Sequence, residues 1–166
     1  MSNDIYWGID PGWQSLGFSV EKNGVGNKFR FLVPSSFSSY TSLLDELVAL
    51  SQNELPSFIF MERFVPYNNV LSGAGEETLM LIGAVRLWAE GNKIPVHMFR
   101  AIEWKSWLCK WLVRNRNFSN PSTSFDKKFS IAAAKCLLDQ LEPGSRITDH
   151  EADAICLSNM YRRFSK

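Results

Sequence analysis

The sequence predicts an α/β fold built on a mixed five-stranded sheet with helices on both faces. Two observations carry this. Three β-rich segments separated by turn signals fill the first 33 residues, which makes an antiparallel meander. Two short apolar runs follow, at 58–61 and 95–99, with helical periodicity before, between and after them. Strands that alternate with helices join a sheet in parallel and need cover on both faces. The chain has 166 residues, 45% of them hydrophobic, which is enough for one core. No repeat or linker interrupts it, so one domain spanning 1–166 is expected.

The elements follow in order. Ile5-Tyr6-Trp7-Gly8-Ile9 is an apolar, β-forming run that ends at Asp10, where Pro11-Gly12 imposes a turn. Gly17 to Val20 is the second strand, closed by the polar turn Lys22-Asn23-Gly24, and Phe29 to Val33 is the third. After the break at Pro34-Ser35-Ser36, Leu43, Leu44, Leu47, Val48 and Leu50 have helical spacing, so a helix runs from Ser42 to near Asn53. Phe58-Ile59-Phe60-Met61 reads as a fully buried strand with Glu62 at its C-terminal end. A loop from Pro66 to Gly75 leads into a helix from Glu76 to Glu90, stopped by Gly91-Asn92. Pro95 to Phe99 is the fifth strand. Trp104, Trp107, Leu108 and Trp111 sit at i, i+3, i+4 and i+7, the core face of a helix, which turns Lys105 and Lys110 outward. A polar loop spans 115–125. Phe129 to Leu141 is a helix closed by Pro143-Gly144. Thr148-Asp149-His150-Glu151 is a capping box, with Thr148 capping the amide three residues on and Glu151 reaching back; its helix runs to about Arg163.

Composition excludes several classes. The apolar and aromatic content rules out low-complexity disorder. No apolar run approaches the roughly 18 residues of a membrane span. Met1-Ser2-Asn3-Asp4 lacks the basic-then-apolar layout of a secretory signal, so a cytoplasmic protein that is not secreted is expected. Cys109, Cys136 and Cys156 are odd in number with no CxxC spacing, and read as reduced thiols, not as a disulfide framework or zinc site. The net charge of +1 hides an asymmetry. Residues 97–135 carry eight Lys/Arg against Glu103 and Asp126, whereas residues 1–96 carry six against ten Asp/Glu. Such a segment is either a polyanion-binding face or a charge-biased solvated surface.

Three carboxylates stand out. Asp10 and Glu62 each follow a buried strand directly, and Asp153 lies between Ala152 and Ala154 inside the last helix. A carboxylate at such a border is costly unless paired or bound to a cation. Strand ends project into the crevice where open α/β sheets bind ligands. Adjacent strand ends for Asp10 and Glu62, with the last helix crossing nearby, gather three acids that repel one another unless a divalent metal neutralises them. His150 and Asp153 are three apart on a helix, and Asp149 and Asp153 four apart, so spacing lets either His150 or Asp149 complete the site.

These residues carry a resemblance. Gly8-Ile9-Asp10-Pro11-Gly12 with Gly17 resembles the opening motif of the RuvC-type Holliday-junction resolvases, metal-dependent nucleases of the ribonuclease H-like fold. Phe60-Met61-Glu62 resembles the family's second acidic motif. His150-Glu151-Ala152-Asp153-Ala154 resembles its last, with His150 where most members carry Asp. The three lie in the family's order across nearly the whole chain.

The resemblance implies paired, metal-dependent nicking of four-way DNA junctions. It implies two Mg²⁺ (or Mn²⁺) ions held by Asp10, Glu62, His150 and Asp153 as catalytic and metal-ligating residues, with Asp10 bridging both. It implies an aromatic wedge at the crossover, for which Phe64 and Tyr67 are the candidates. Arg100, Lys105, Lys110, Arg114 and Arg116 then become phosphate contacts. Members act as homodimers, and the 76–90 helix (Leu79, Met80, Ile82, Gly83, Val85, Leu87) is the expected dimer face. Two other classes compete. An actin- or sugar-kinase-like ATP-binding domain needs a second lobe and a second Gly-x-Asp-x-Gly loop, which 166 residues do not hold. A non-catalytic branched-DNA-binding module has no need of buried acids.

Overall fold

Five strands form one sheet in the order β3-β2-β1-β4-β5. They are β1 (Ile5–Asp10), β2 (Leu16–Lys22), β3 (Asn27–Leu32), β4 (Phe58–Glu62) and β5 (Val96–Phe99). The computed structural model describes residues 4–22, 27–66, 71–138 and 146–164. β1, β2 and β3 pair antiparallel, as short connections allow. β4 and β5 add in parallel, which needs crossovers: α1 (Tyr40–Leu50) leads from β3 to β4, and α2 (Gly73–Gly91) from β4 to β5. Three helices follow: α3 (Ala101–Arg116), α4 (Lys127–Leu137) and α5 (Asp149–Ser158).

Strand alternation decides which helices cover which face. Ile5, Trp7 and Ile9 of β1 point one way, and with Ile59 and Met61 of β4 they pack against Leu43 and Leu47 of α1 and Leu81 and Val85 of α2. Tyr6, Phe60 and Phe99 point the other way, against Trp104 and Leu108 of α3, Phe129 and Ala133 of α4, and Ile155 of α5. Asp10 and Glu62 share the parity of Tyr6 and Phe60. They therefore emerge beneath α3 and α5.

Two glycines set how close α5 comes. A Cβ on Gly8 would lie 2.0 Å from the carbonyl oxygen of Ala154, and one on Gly17 would lie 1.9 Å from that of His150. Any side chain there would hold the helix off the sheet. Gly17 is also the register partner of Asp10, so the first turn of α5 rests beside that carboxylate.

Some boundaries differ from those expected. α2 begins at Gly73, because the Ser72 hydroxyl accepts from the Gly75 amide and starts the helix early. Gly73 and Gly75 are thus helical, and Gly75 makes room for Phe64, whose Cζ would lie 3.2 Å from an added Cβ. α3 continues to Arg116, where Asn117 in the left-handed region (φ 51°) ends it, so the polar loop starts two residues late. α4 ends at Leu137; Pro143-Gly144 lies outside the described residues, as do Asn23 and Gly24. The last helix tightens to 3-10 geometry over Asn159–Arg163. Among the described residues no disulfide joins Cys109, Cys136 and Cys156, and no described helix is long and apolar enough to cross a membrane.

Candidate functional site

Asp10 and Glu62 end adjacent parallel strands. Ile9 pairs with Met61, so the next residue on each strand brings the two carboxylates side by side on the α5 face. Asp153 reaches them from the second turn of α5. One oxygen from each of Asp10, Glu62 and Asp153 lies within 4.8 Å of the others.

Burial and a like charge close by both disfavour the ionised form of a carboxylate. Burial, with Asp10 beside it, pushes the Glu62 carboxyl up to about 7. Burial likewise raises Asp153. Two donors from the first turns of α3 act against this. The Trp104 indole Nε1–H donates to Glu62 Oε2 at 2.8 Å. The Lys105 ammonium lies 3.4 Å from Asp153 Oδ1 and 3.5 Å from Oδ2. Even so, Asp153 Oδ1 is buried and accepts no hydrogen bond among the described residues. Clustered carboxylate oxygens are the ligand set a hard divalent cation takes. The residues therefore fit the metal that the motifs imply.

The structure separates the two residues that spacing left open. His150 Nδ1 lies 2.7 Å from Asp10 Oδ2. The carboxylate accepts, so Nδ1–H donates and Nε2 is the nitrogen left for another partner. That hydrogen bond raises the imidazole pKa above its ordinary 6.5. Asp149 turns away to pair with Lys127, and the hydrogen bond from that ammonium lowers its carboxyl pKa.

The expected DNA contacts scatter more widely. Lys105 is the main correction. It does not face outward: it is 8% exposed and sits in the acidic cluster. The tryptophan stripe misassigned the roll of α3. Trp104, Leu108 and Leu112 form its buried line, whereas Trp107 and Trp111 are half-buried and stack on each other at 6.4 Å. Lys105, beside that line, turns toward α5. Lys110, Arg114 and Arg116 are exposed on α3. Arg100 is exposed and paired with Glu103 at 2.9 Å. Phe64 is half-buried and lines a cleft of about 280 Å³ with Asp10, Pro11, Glu62, Arg63, Val65 and Ala101. Tyr67 lies outside the described residues. Above the cleft, the loop after Asp10 is tied to α2, where the Trp13 amide donates to Thr78 Oγ1 at 3.1 Å.

Periodicity thus missed Trp104 at the acids and put Lys105 on the outer face, although both reach the cluster. Their signal was positional. They open the helix after β5, whose last residue Phe99 pairs with Glu62, so they start at the edge where the acids end.

No family model matches the chain, and no curated protein sequence is significantly similar to it. Solved structures do match. A Thermus thermophilus RuvC in complex with a Holliday junction substrate aligns over 97% of this chain and 96% of its own at TM-score 0.67 and 17% identity. A second Thermus thermophilus RuvC structure aligns over 96% of both chains at TM-score 0.56 and 20% identity. The yeast mitochondrial Holliday junction resolvase Ydc2 aligns over 98% of this chain and 79% of its own at TM-score 0.59 and 14% identity. What these proteins share with the chain, at such identities, is the ribonuclease H-like fold.

Proposed function

We propose that this chain is a structure-selective endonuclease that resolves four-way DNA junctions by paired nicks dependent on Mg²⁺ or Mn²⁺. The observation that carries the reading is the cluster of Asp10, Glu62 and Asp153 at the strand ends of a fold shared with junction resolvases. Asp10, Glu62, Asp153 and His150 hold two ions between them. Bound there, divalent cations lower the pKa of an attacking water and neutralise charge at the leaving 3′ oxygen.

The chain's own groups do the rest. His150 holds Asp10 through Nδ1–H and keeps Nε2 for ligation. Lys105 balances Asp153. Lys110, Arg114 and Arg116 meet backbone phosphates along α3, and Arg100 joins them at its start. Phe64 or Tyr67 wedges at the crossover of the junction. The chain works as one domain and as a two-fold dimer, since two symmetric nicks need two sites. The dimer face is the outer side of α2, where Leu79, Met80 and Leu87 are exposed and a Cβ on Gly83 would meet nothing within 4 Å. Ile82 and Val85, also expected on that face, point into the core instead.

The test is incubation with a labelled four-way junction and a linear duplex of the same sequence, with Mg²⁺ or Mn²⁺. Paired, ligatable nicks in the junction alone are expected. Equal cutting of the duplex removes the structure selectivity, and binding without cutting in either metal leaves only a branched-DNA-binding module.

A further inference from the structure

Trp104 is fully buried, and its one polar atom is directed at the acidic site. Its Nε1–H holds Glu62 Oε2 at 2.8 Å, while Oε1 has no hydrogen-bond partner among the described residues. We propose that Trp104 is a positioning residue, which occupies one oxygen of Glu62 and presents the other, Oε1, to the divalent cation as a single-oxygen ligand. The inference rests on the nuclease reading above for the presence of that cation.

The argument is one of freedom. Glu62 ends its strand at an open cleft, and its side chain has three torsions to fix. A carboxylate free to turn there offers either oxygen, or both. Trp104 removes that choice, because the indole cannot move: it is packed in the α3 layer with Phe60 and Leu108. Partners behind a metal ligand orient it in this way.

A second tryptophan shows that burial alone does not explain the contact. Trp7 is also fully buried, on the opposite face of the sheet, and its Nε1 has no partner among the described residues. This interior therefore tolerates an unpaired indole N–H. Phe would fill most of the same space as Trp104, but only the indole brings a donor to Glu62.

The pair of tryptophans supplies the experiment. Trp104→Phe and Trp7→Phe remove the same atoms from equally buried sites. Mn²⁺ binding to the DNA-free protein is measured by calorimetry for wild type, both variants, Glu62→Gln, and Glu62→Gln with Trp104→Phe. Trp104→Phe is expected to weaken Mn²⁺ binding roughly tenfold or more, Trp7→Phe to leave it unchanged, and Trp104→Phe to add no further loss once Glu62 is Gln. Equal affinity in Trp104→Phe and Trp7→Phe overturns the proposal.

A wild-type readout covers the case in which Trp104→Phe fails to fold. The Trp104 indole ¹H–¹⁵N resonance is expected to move in a Mg²⁺ titration while that of Trp7 stays, and a stationary Trp104 resonance overturns the proposal. A wild-type protein that cuts junctions while Trp104→Phe binds Mn²⁺ normally sinks this inference alone. A wild-type protein that binds no Mn²⁺ sinks both readings.

Discussion

At the scale of single residues, Asp10, Glu62 and Asp153 meet in one cluster, apart from the exposed basic residues of α3. Asp10→Asn, Glu62→Gln and Asp153→Asn each remove a negative charge from the proposed ligand set and leave the basic residues of α3 in place. Each is expected to lower junction cleavage by roughly 10²-fold or more, with junction binding retained in a gel-shift assay. His150→Ala is expected to behave like these three, and His150→Asp to keep part of the activity with a changed Mg²⁺/Mn²⁺ preference. Asp149→Asn is expected to stay active and to cost only helix-start stabilisation, on the order of 0.3–1 kcal/mol. The opposite pattern, an inactive Asp149→Asn beside an active His150→Ala, removes His150 from the site.

The same residues make the metal-free protein sensitive to pH. Glu62 binds its proton more tightly folded, with a pKa of about 7, than unfolded, at 4.5. Its contribution to stability is therefore complete below pH 4.5 and is lost as the pH rises through 7. His150, also raised, adds a loss of the same sign above its ordinary 6.5. The metal-free Tm is expected to fall across this range. Mg²⁺ or Mn²⁺ should restore more stability at pH 7.5 than at about 5, where protons compete for the ligands. In Glu62→Gln the part of the fall between pH 4.5 and 7 should shrink, and calorimetry at a series of pH values measures it.

At the scale of elements, the seat of α5 on β1 and β2 places both His150 and Asp153. Gly17→Ala would put a Cβ 1.9 Å from the His150 carbonyl oxygen and 2.4 Å from its carbon, so the first turn of α5 must rise. Overpacking of this kind costs about 1–3 kcal/mol, and here it also draws His150 off Asp10. Gly17→Ala is therefore expected to lose cleavage and to unfold at lower urea. Thr148→Ala makes a useful contrast. It removes the hydroxyl that accepts from the Glu151 amide and is expected to cost about 1 kcal/mol, while α5 keeps its seat and most of its activity.

At the scale of the whole molecule, the face of α2 turned away from the sheet bears Leu79, Met80 and Leu87, exposed by 42, 57 and 72%. The inner side of the same helix holds the loop after Asp10 through Thr78. In the proposed dimer, a partner on the outer face would brace this scaffold without touching Asp10, Glu62 or Asp153. Leu87→Asp is expected to give a monomer in analytical ultracentrifugation with its Tm nearly unchanged, and to make single, unpaired nicks in place of paired ones. A Leu87→Asp protein that remains dimeric places the dimer face elsewhere.

Turn chemistry and periodicity act over a few residues, and what depends on them was legible along the chain. Pro11-Gly12 ends β1 at Asp10, the run at Phe58 to Met61 makes β4 a buried strand, and Thr148 with Glu151 starts α5. The parity of Asp10 and Glu62 along their strands was also written locally. Where atoms distant in sequence meet was not. The roll of α3 comes from the fit of Trp104, Leu108 and Leu112 against the sheet, not from a count of aromatic residues, and that roll carries Lys105 to Asp153 and Trp104 to Glu62. Spacing on α5 allowed both Asp149 and His150. The contact of α5 with Gly17 sets His150 against Asp10, and the ammonium of Lys127 draws Asp149 away; each depends on the approach of another element to the helix, which no local pattern contains.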